Sequence, residues 1–70
     1  MIYFTSYAVR KFEILKKYQV NLDKENIKEV IEHSQKNGRK GNNFTAEKDN
    51  IKVIYKKEDN IIKIITFYPT

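Results

Sequence analysis

The apolar residues of this 70-residue chain change period once, and that change divides it into a helical and an extended half. The opening Ile2-Tyr3-Phe4-Thr5 is β-prone and predicts a short edge strand. Thr5 or Ser6 then supplies a helix N-cap, because either hydroxyl can accept from a free backbone N–H of the first turn. From Ala8 the spacing is helical: Ala8, Val9, Phe12 and Leu15 share one side, with Tyr18 on its flank. Arg10, Glu13 and Lys17 fall opposite, and Ile14 is left facing outward. Asn21-Leu22-Asp23 interrupts the pattern, and Asp23 caps a second helix whose apolar face is Ile27, Val30 and Ile31, continued by Ser34. The short connection predicts that the two helices pack as an antiparallel hairpin.

Lys36-Asn37-Gly38-Arg39-Lys40-Gly41-Asn42-Asn43 has both glycines and no apolar residue, and reads as a loop. Beyond it, alternation predicts three strands joined by two-residue turns at Asp49-Asn50 and Asp59-Asn60, residue types that tolerate positive φ. This places Phe44 opposite Tyr55, Ala46 opposite Val53, Tyr55 opposite Ile64 and Val53 opposite Thr66. One face then collects Phe44, Ala46, Ile51, Val53, Tyr55, Ile62, Ile64, Thr66 and Tyr68 for the core. The other face collects Asn43, Thr45, Glu47, Lys52, Ile54, Lys56, Lys63, Ile65 and Phe67, with Lys56 directly opposite Lys63. The expected fold is a single α+β domain over residues 1–70: a short strand, a two-helix hairpin and a three-stranded antiparallel meander, with the helices on one sheet face.

Composition narrows the function classes. There is no cysteine and one histidine, so disulfides and thiolate sites are excluded and a zinc centre is disfavoured. No apolar run approaches the ~20 residues of a membrane span, and with the missing cysteines this favours a cytoplasmic protein. The 14 Lys and Arg outweigh the 9 Asp and Glu, giving a net charge of +5 that permits a polyanionic partner.

Two clusters could hold phosphate. Lys52, Lys56 and Lys63 surround Ile54, Ile65 and Phe67, a mixture of cations and flat apolar groups suited to nucleic acid. The same lysines could equally guard a sheet face against aggregation. In the Gly38-Arg39-Lys40-Gly41 segment, Arg39 and Lys40 could contact phosphate, although a solvated connector is the commoner role of such a loop and the spacing is not that of a P-loop. His33, in the last turn of the second helix, is explained by the helix dipole. No paired carboxylates, HExxH or GxGxxG appear, and no cofactor is indicated. Catalysis would have to rely on Lys, Arg and Tyr, the set expected where the 2′-hydroxyl of an RNA is the nucleophile.

Phe4-Thr5 precedes Tyr7-Ala8-Val9-Arg10-Lys11, Asp23-Lys24-Glu25-Asn26-Ile27 opens the second helix, and Ile65-Thr66-Phe67-Tyr68-Pro69 closes the chain. In order and local motif this resembles the compact members of the RelE-like toxin superfamily, whose first helix begins His-Ala-x-x-Arg. Tyr7 stands where those proteins have histidine, and Lys11 where they have arginine. The resemblance implies a RelE-like fold, RNA or the ribosome as partner, an antitoxin protein, and a metal-independent endoribonuclease activity. On that reading Tyr7, Lys11 and Tyr68 are the catalytic candidates, and Arg39, Lys40, Lys52, Lys56 and Lys63 hold phosphate. The second reading is a non-enzymatic interaction module that forms a homodimer, or binds a partner, through Ile54, Ile65 and Phe67.

Overall fold

The computed structural model describes residues 1–70 as a five-stranded mixed sheet with two helices on one face. The elements run β1 Ile2–Phe4, α1 Ser6–Lys17, α2 Lys24–Glu32, β2 Lys36–Lys40, β3 Asn43–Lys48, β4 Ile51–Glu58 and β5 Ile61–Pro69. The sheet order is β1-β5-β4-β3-β2. β1 lies parallel to β5 at one edge, and the other pairings are antiparallel.

Helix α1 is capped by Thr5, whose hydroxyl accepts from the Ala8 N–H. At its other end the Gln19 and Val20 N–H groups donate to the carbonyls of Lys16 and Leu15, a Schellman closure that holds Gln19 at φ 62. Lys16 and Lys17 sit in the last turn, where cations offset the helix dipole. In α2 the carboxylate of Asp23 accepts from the Asn26 N–H, and the Asn26 side chain accepts from the Asp23 N–H, both at 2.9 Å. α1 packs on β5 and β1 while α2 packs on β3 and β4, so the sheet, more than a helix–helix contact, organises the pair. The expected helical hairpin is thus two helices laid separately on one surface. Val9, expected on the buried side, is 43% exposed at its margin.

The core joins Ala8, Ile27 and Val30 from the helices to Ala46, Val53, Tyr55, Ile64 and Phe67 from the sheet. Asp49, Asn50, Asp59 and Asn60 all have positive φ, as two-residue hairpin turns require. The expected pairings Phe44–Tyr55, Ala46–Val53, Tyr55–Ile64 and Lys56–Lys63 are present.

Two further expectations fail, each for a definite reason. The segment 36–40 is an edge strand rather than a loop, paired with β3 and turned back at Gly41, whose φ is 63°. It shows no hydrophobic alternation because all five of its residues are exposed. In β5 a bulge intervenes: Tyr55 pairs with Ile64, but Ile54 pairs with Thr66, leaving Ile65 as the extra residue. Every later side chain is therefore on the face opposite to that expected. Phe67 is fully buried, with its ring centroid 4.5 Å from that of Phe12, and it faces Val53. Thr66 and Tyr68 point away from the helices. The Thr5 hydroxyl donates to the Ile64 carbonyl at 2.8 Å, and the Thr5 N–H donates to it at 3.2 Å, so the bulge is tied to the start of α1.

Candidate nucleic-acid interface

The face of the sheet turned away from the helices is uncovered, and the pairing register arranges its side chains in cross-strand rows. Lys40 faces Asn43, Lys56 faces Lys63, and Lys63 faces Tyr3. Because Phe44 faces Tyr55, Asn43 falls beside Lys56, and the first row runs Lys40, Asn43, Lys56, Lys63, Tyr3 from β2 to β1. The second row is Gly38, Thr45, Ile54 and Thr66, without charge. The third is Lys36, Glu47, Lys52 and Tyr68. Adjacent rows lie about 6.7 Å apart, two residues along each strand, and neighbours within a row about 4.8 Å apart.

Charge is distributed differently on the two faces. On the helix side, Lys48 bridges Glu29 at 3.2 Å and Asp49 at 2.8 Å, and those hydrogen bonds raise its pKa. On the open side only Lys63 is paired, with Glu58 at 2.9 Å, while Lys36, Lys40, Lys52 and Lys56 have no carboxylate within 4.0 Å. The Lys63–Glu58 hydrogen bond raises the lysine pKa and lowers that of the carboxyl, and the charge of Lys56 lowers the carboxyl further. Glu58 thus screens the Lys56–Lys63 repulsion across the ladder. The Oδ1 of Asn43, in the same row, is buried without a hydrogen-bond partner.

Of the phosphate-binding set expected from sequence, Lys40, Lys52, Lys56 and Lys63 share this face. Arg39 does not: as a strand residue it alternates with Lys40, and its guanidinium lies 5.3 Å from the Phe44 ring on the helix side. Lys57 approaches the same ring at 5.3 Å, and Phe44 stacks on Tyr55. Lys36 and Tyr3 belong to the open face and were missed. The pairing of β2 would have found Lys36, but a fully polar strand leaves no periodic signal.

Tyr7 and Lys11 lie one turn apart on α1, with Tyr7 65% exposed, whereas Tyr68 is across the sheet facing Lys52. The structure does not bring the three together, and none of them lines any of the four shallow surface depressions. His33 is the exposed C-cap of α2, with its N–H donating to Glu29. No group of three His, Cys, Asp or Glu side chains is placed to hold a metal ion, and no helix is long and apolar enough to cross a membrane.

This geometry offers a wide cationic surface rather than a cleft. It suits a flexible polyanion that lies on the sheet, and it does not enclose a small substrate. No protein-family model, curated protein or solved structure matches the chain.

Proposed function

We propose that the protein is a toxin-like, nucleic-acid-directed domain that binds RNA on the open face of its sheet. The observation that carries this reading is the concentration of Lys36, Lys40, Lys52, Lys56 and Lys63 on the one face that no helix covers. All but Lys63 lack an acidic partner there. Phosphate groups neutralise such a surface with release of counterions, which makes binding strongly salt-dependent. The resemblance to RelE-like toxins in the Thr5–Lys11 and Ile65–Pro69 segments supports RNA or the ribosome as the target. It also supports an antitoxin protein, for which the lysine face is the surface to neutralise.

Metal-independent RNA cleavage belongs to the same reading. Of the three catalytic candidates only Tyr68 is on the lysine face, beside Lys52. There Tyr68 would transfer the proton and Lys52 would stabilise developing charge on phosphorus. Tyr7 and Lys11 would act only on RNA that also reaches α1. The alternative, dimerisation through Ile54, Ile65 and Phe67, loses its central residue because Phe67 is fully buried.

The test is RNA binding and cleavage by purified protein, together with growth on induced expression. Salt-sensitive binding lost in Lys52/Lys56/Lys63→Ala is the expected result. Binding indifferent to that triple change, with neither cleavage nor growth arrest, would refute the proposal.

A further inference from the structure

The three rows of the open face are not equivalent, and their differences define a direction. The first row carries Lys40, Lys56 and Lys63 with no acid within the row; Glu58, two residues beyond Lys56 on the same face of β4, pairs with Lys63 and acts on Lys56 through its charge. The third row alternates sign, with Glu47 between Lys36 and Lys52, and it ends on the Tyr68 ring. Between them the second row is uncharged and low. At its β2 end Gly38 has no side chain, and a Cβ there would come 2.9 Å from the Thr45 Oγ1. Any larger residue would raise the floor and displace Thr45. The bulge in β5 sets the other end: it turns Thr66 and Tyr68 outward and takes Phe67 into the core. A neutral floor, in which Ile54 is the one large side chain, is thus bounded by a lysine row on one side and a mixed polar and aromatic row on the other.

We infer that this face is a track for single-stranded RNA running across the β-strands. Its phosphates follow Lys40, Lys56 and Lys63, and its bases lie over Gly38, Thr45, Ile54 and Thr66, ending against Tyr68. The inference rests on the RNA-binding reading above, adds the form and orientation of the ligand, and gives Tyr68 a stacking role in place of proton transfer. Phosphates need cations with no carboxylate between them, which only the first row supplies. Bases need an uncharged surface with hydroxyl groups and a ring to stack on, as the second row and Tyr68 provide. A duplex has its bases paired and its phosphates outermost, so it would reach the lysine tips while leaving the floor and Tyr68 unused. From Lys40 to Lys63 the first row spans three inter-strand steps, about 14 Å, which a short single strand covers.

Fluorescence anisotropy with a labelled RNA of about 8 nucleotides, within the range of known single-strand site sizes, tests this on the full chain. The slope of log K against log salt should fall by about 0.7 for each of Lys40→Ala, Lys56→Ala and Lys63→Ala. Lys36→Ala and Lys52→Ala, on either side of Glu47, should each lower it by clearly less. Tyr68→Ala should weaken binding about tenfold at constant slope, and Tyr68→Phe should restore it. Gly38→Ala should weaken binding while thermal unfolding confirms that the variant is folded; if it is not, the Tyr68 pair and the lysine slopes decide. The inference is overturned if all five lysines change the slope alike, if a duplex of equal length binds as tightly, or if Tyr68→Ala has no effect. Those outcomes leave RNA binding itself intact, whereas absence of RNA binding at low salt removes the broader proposal.

Discussion

Thr5 performs several tasks with one side chain, and replacing it with valine separates them from its shape. Its hydroxyl accepts from the Ala8 N–H at 3.3 Å as the α1 cap and donates to the Ile64 carbonyl at 2.8 Å beside the bulge. Loss of an N-cap costs about 1 kcal/mol. Loss of the second hydrogen bond costs about another 1 kcal/mol, and no more, because the Thr5 N–H still donates to that carbonyl at 3.2 Å. Thr5→Val should therefore destabilise the domain by about 2 kcal/mol, which for a chain of this size lowers Tm by roughly 8–16 °C. Urea unfolding followed by circular dichroism gives the free energy, and thermal unfolding gives the shift. Thr5→Ser, which keeps the hydroxyl, should retain most of the stability, and Ser6→Ala, outside the cap, should change little. A Thr5→Val protein within about 0.5 kcal/mol of the parent would refute the idea that this hydroxyl couples helix start to bulge.

Three further outcomes follow from the packing and charges. Phe67→Ala should cost about 3–5 kcal/mol, enough to unfold a domain of this size, whereas the half-buried, open-face Ile54→Ala should leave a cooperative transition; chemical denaturation distinguishes them. Gln19→Gly should raise the unfolding midpoint, since the left-handed conformation costs a non-glycine residue about 1 kcal/mol or more and Gln19 holds φ 62 at the Schellman closure. For pH, Glu58 has a folded-state pKa below its ordinary 4.5, so its contribution is present above 4.5 and lost as pH falls through the lower folded value. Lys63, raised above 10.5, contributes below that value and loses the contribution as pH rises through its folded pKa. Glu58→Gln should accordingly flatten the acid limb of a stability–pH curve, and by freeing Lys63 it should tighten RNA binding at neutral pH.

Much of the fold was legible in the chain. Ala8, Phe12 and Leu15 announce α1, Asp23 with Ile27, Val30 and Ile31 announces α2, and the Asp49-Asn50 turn sets the register of β3 on β4 to the residue. The pairing of Lys56 with Lys63 came from the same turn chemistry. What escaped is physically distinct. β2 is held by backbone pairing to β3 and buries nothing, so its sequence carries no period. The bulge is set partly by a hydrogen bond from Thr5, 59 residues earlier in the chain, which no local pattern contains. That single extra residue reassigned Phe67, Thr66 and Tyr68: it took the phenylalanine off the open face, put a threonine and a tyrosine there, and left Ile54 in place. Arg39 and Lys40 looked like neighbours on one loop, but strand geometry sends them to opposite faces.

The parallel pairing of β1 with β5 also bears on the order of events during synthesis. Phe4 and Phe12, near the beginning, find their partners in Ile64 and Phe67, within the final strand. Helix α1 can form early by its caps, yet its apolar side has only Phe4 of β1 against it until β5 has left the ribosome. Pairings so distant along the chain close slowly, since loop entropy must be overcome before contacts compensate. The nascent domain therefore spends most of its synthesis with two phenylalanines uncovered, open to chaperones, proteases or self-association. A polypeptide stopped before Ile61 would keep the residues that cap both helices and the Asp49-Asn50 turn but lack the strand that joins them.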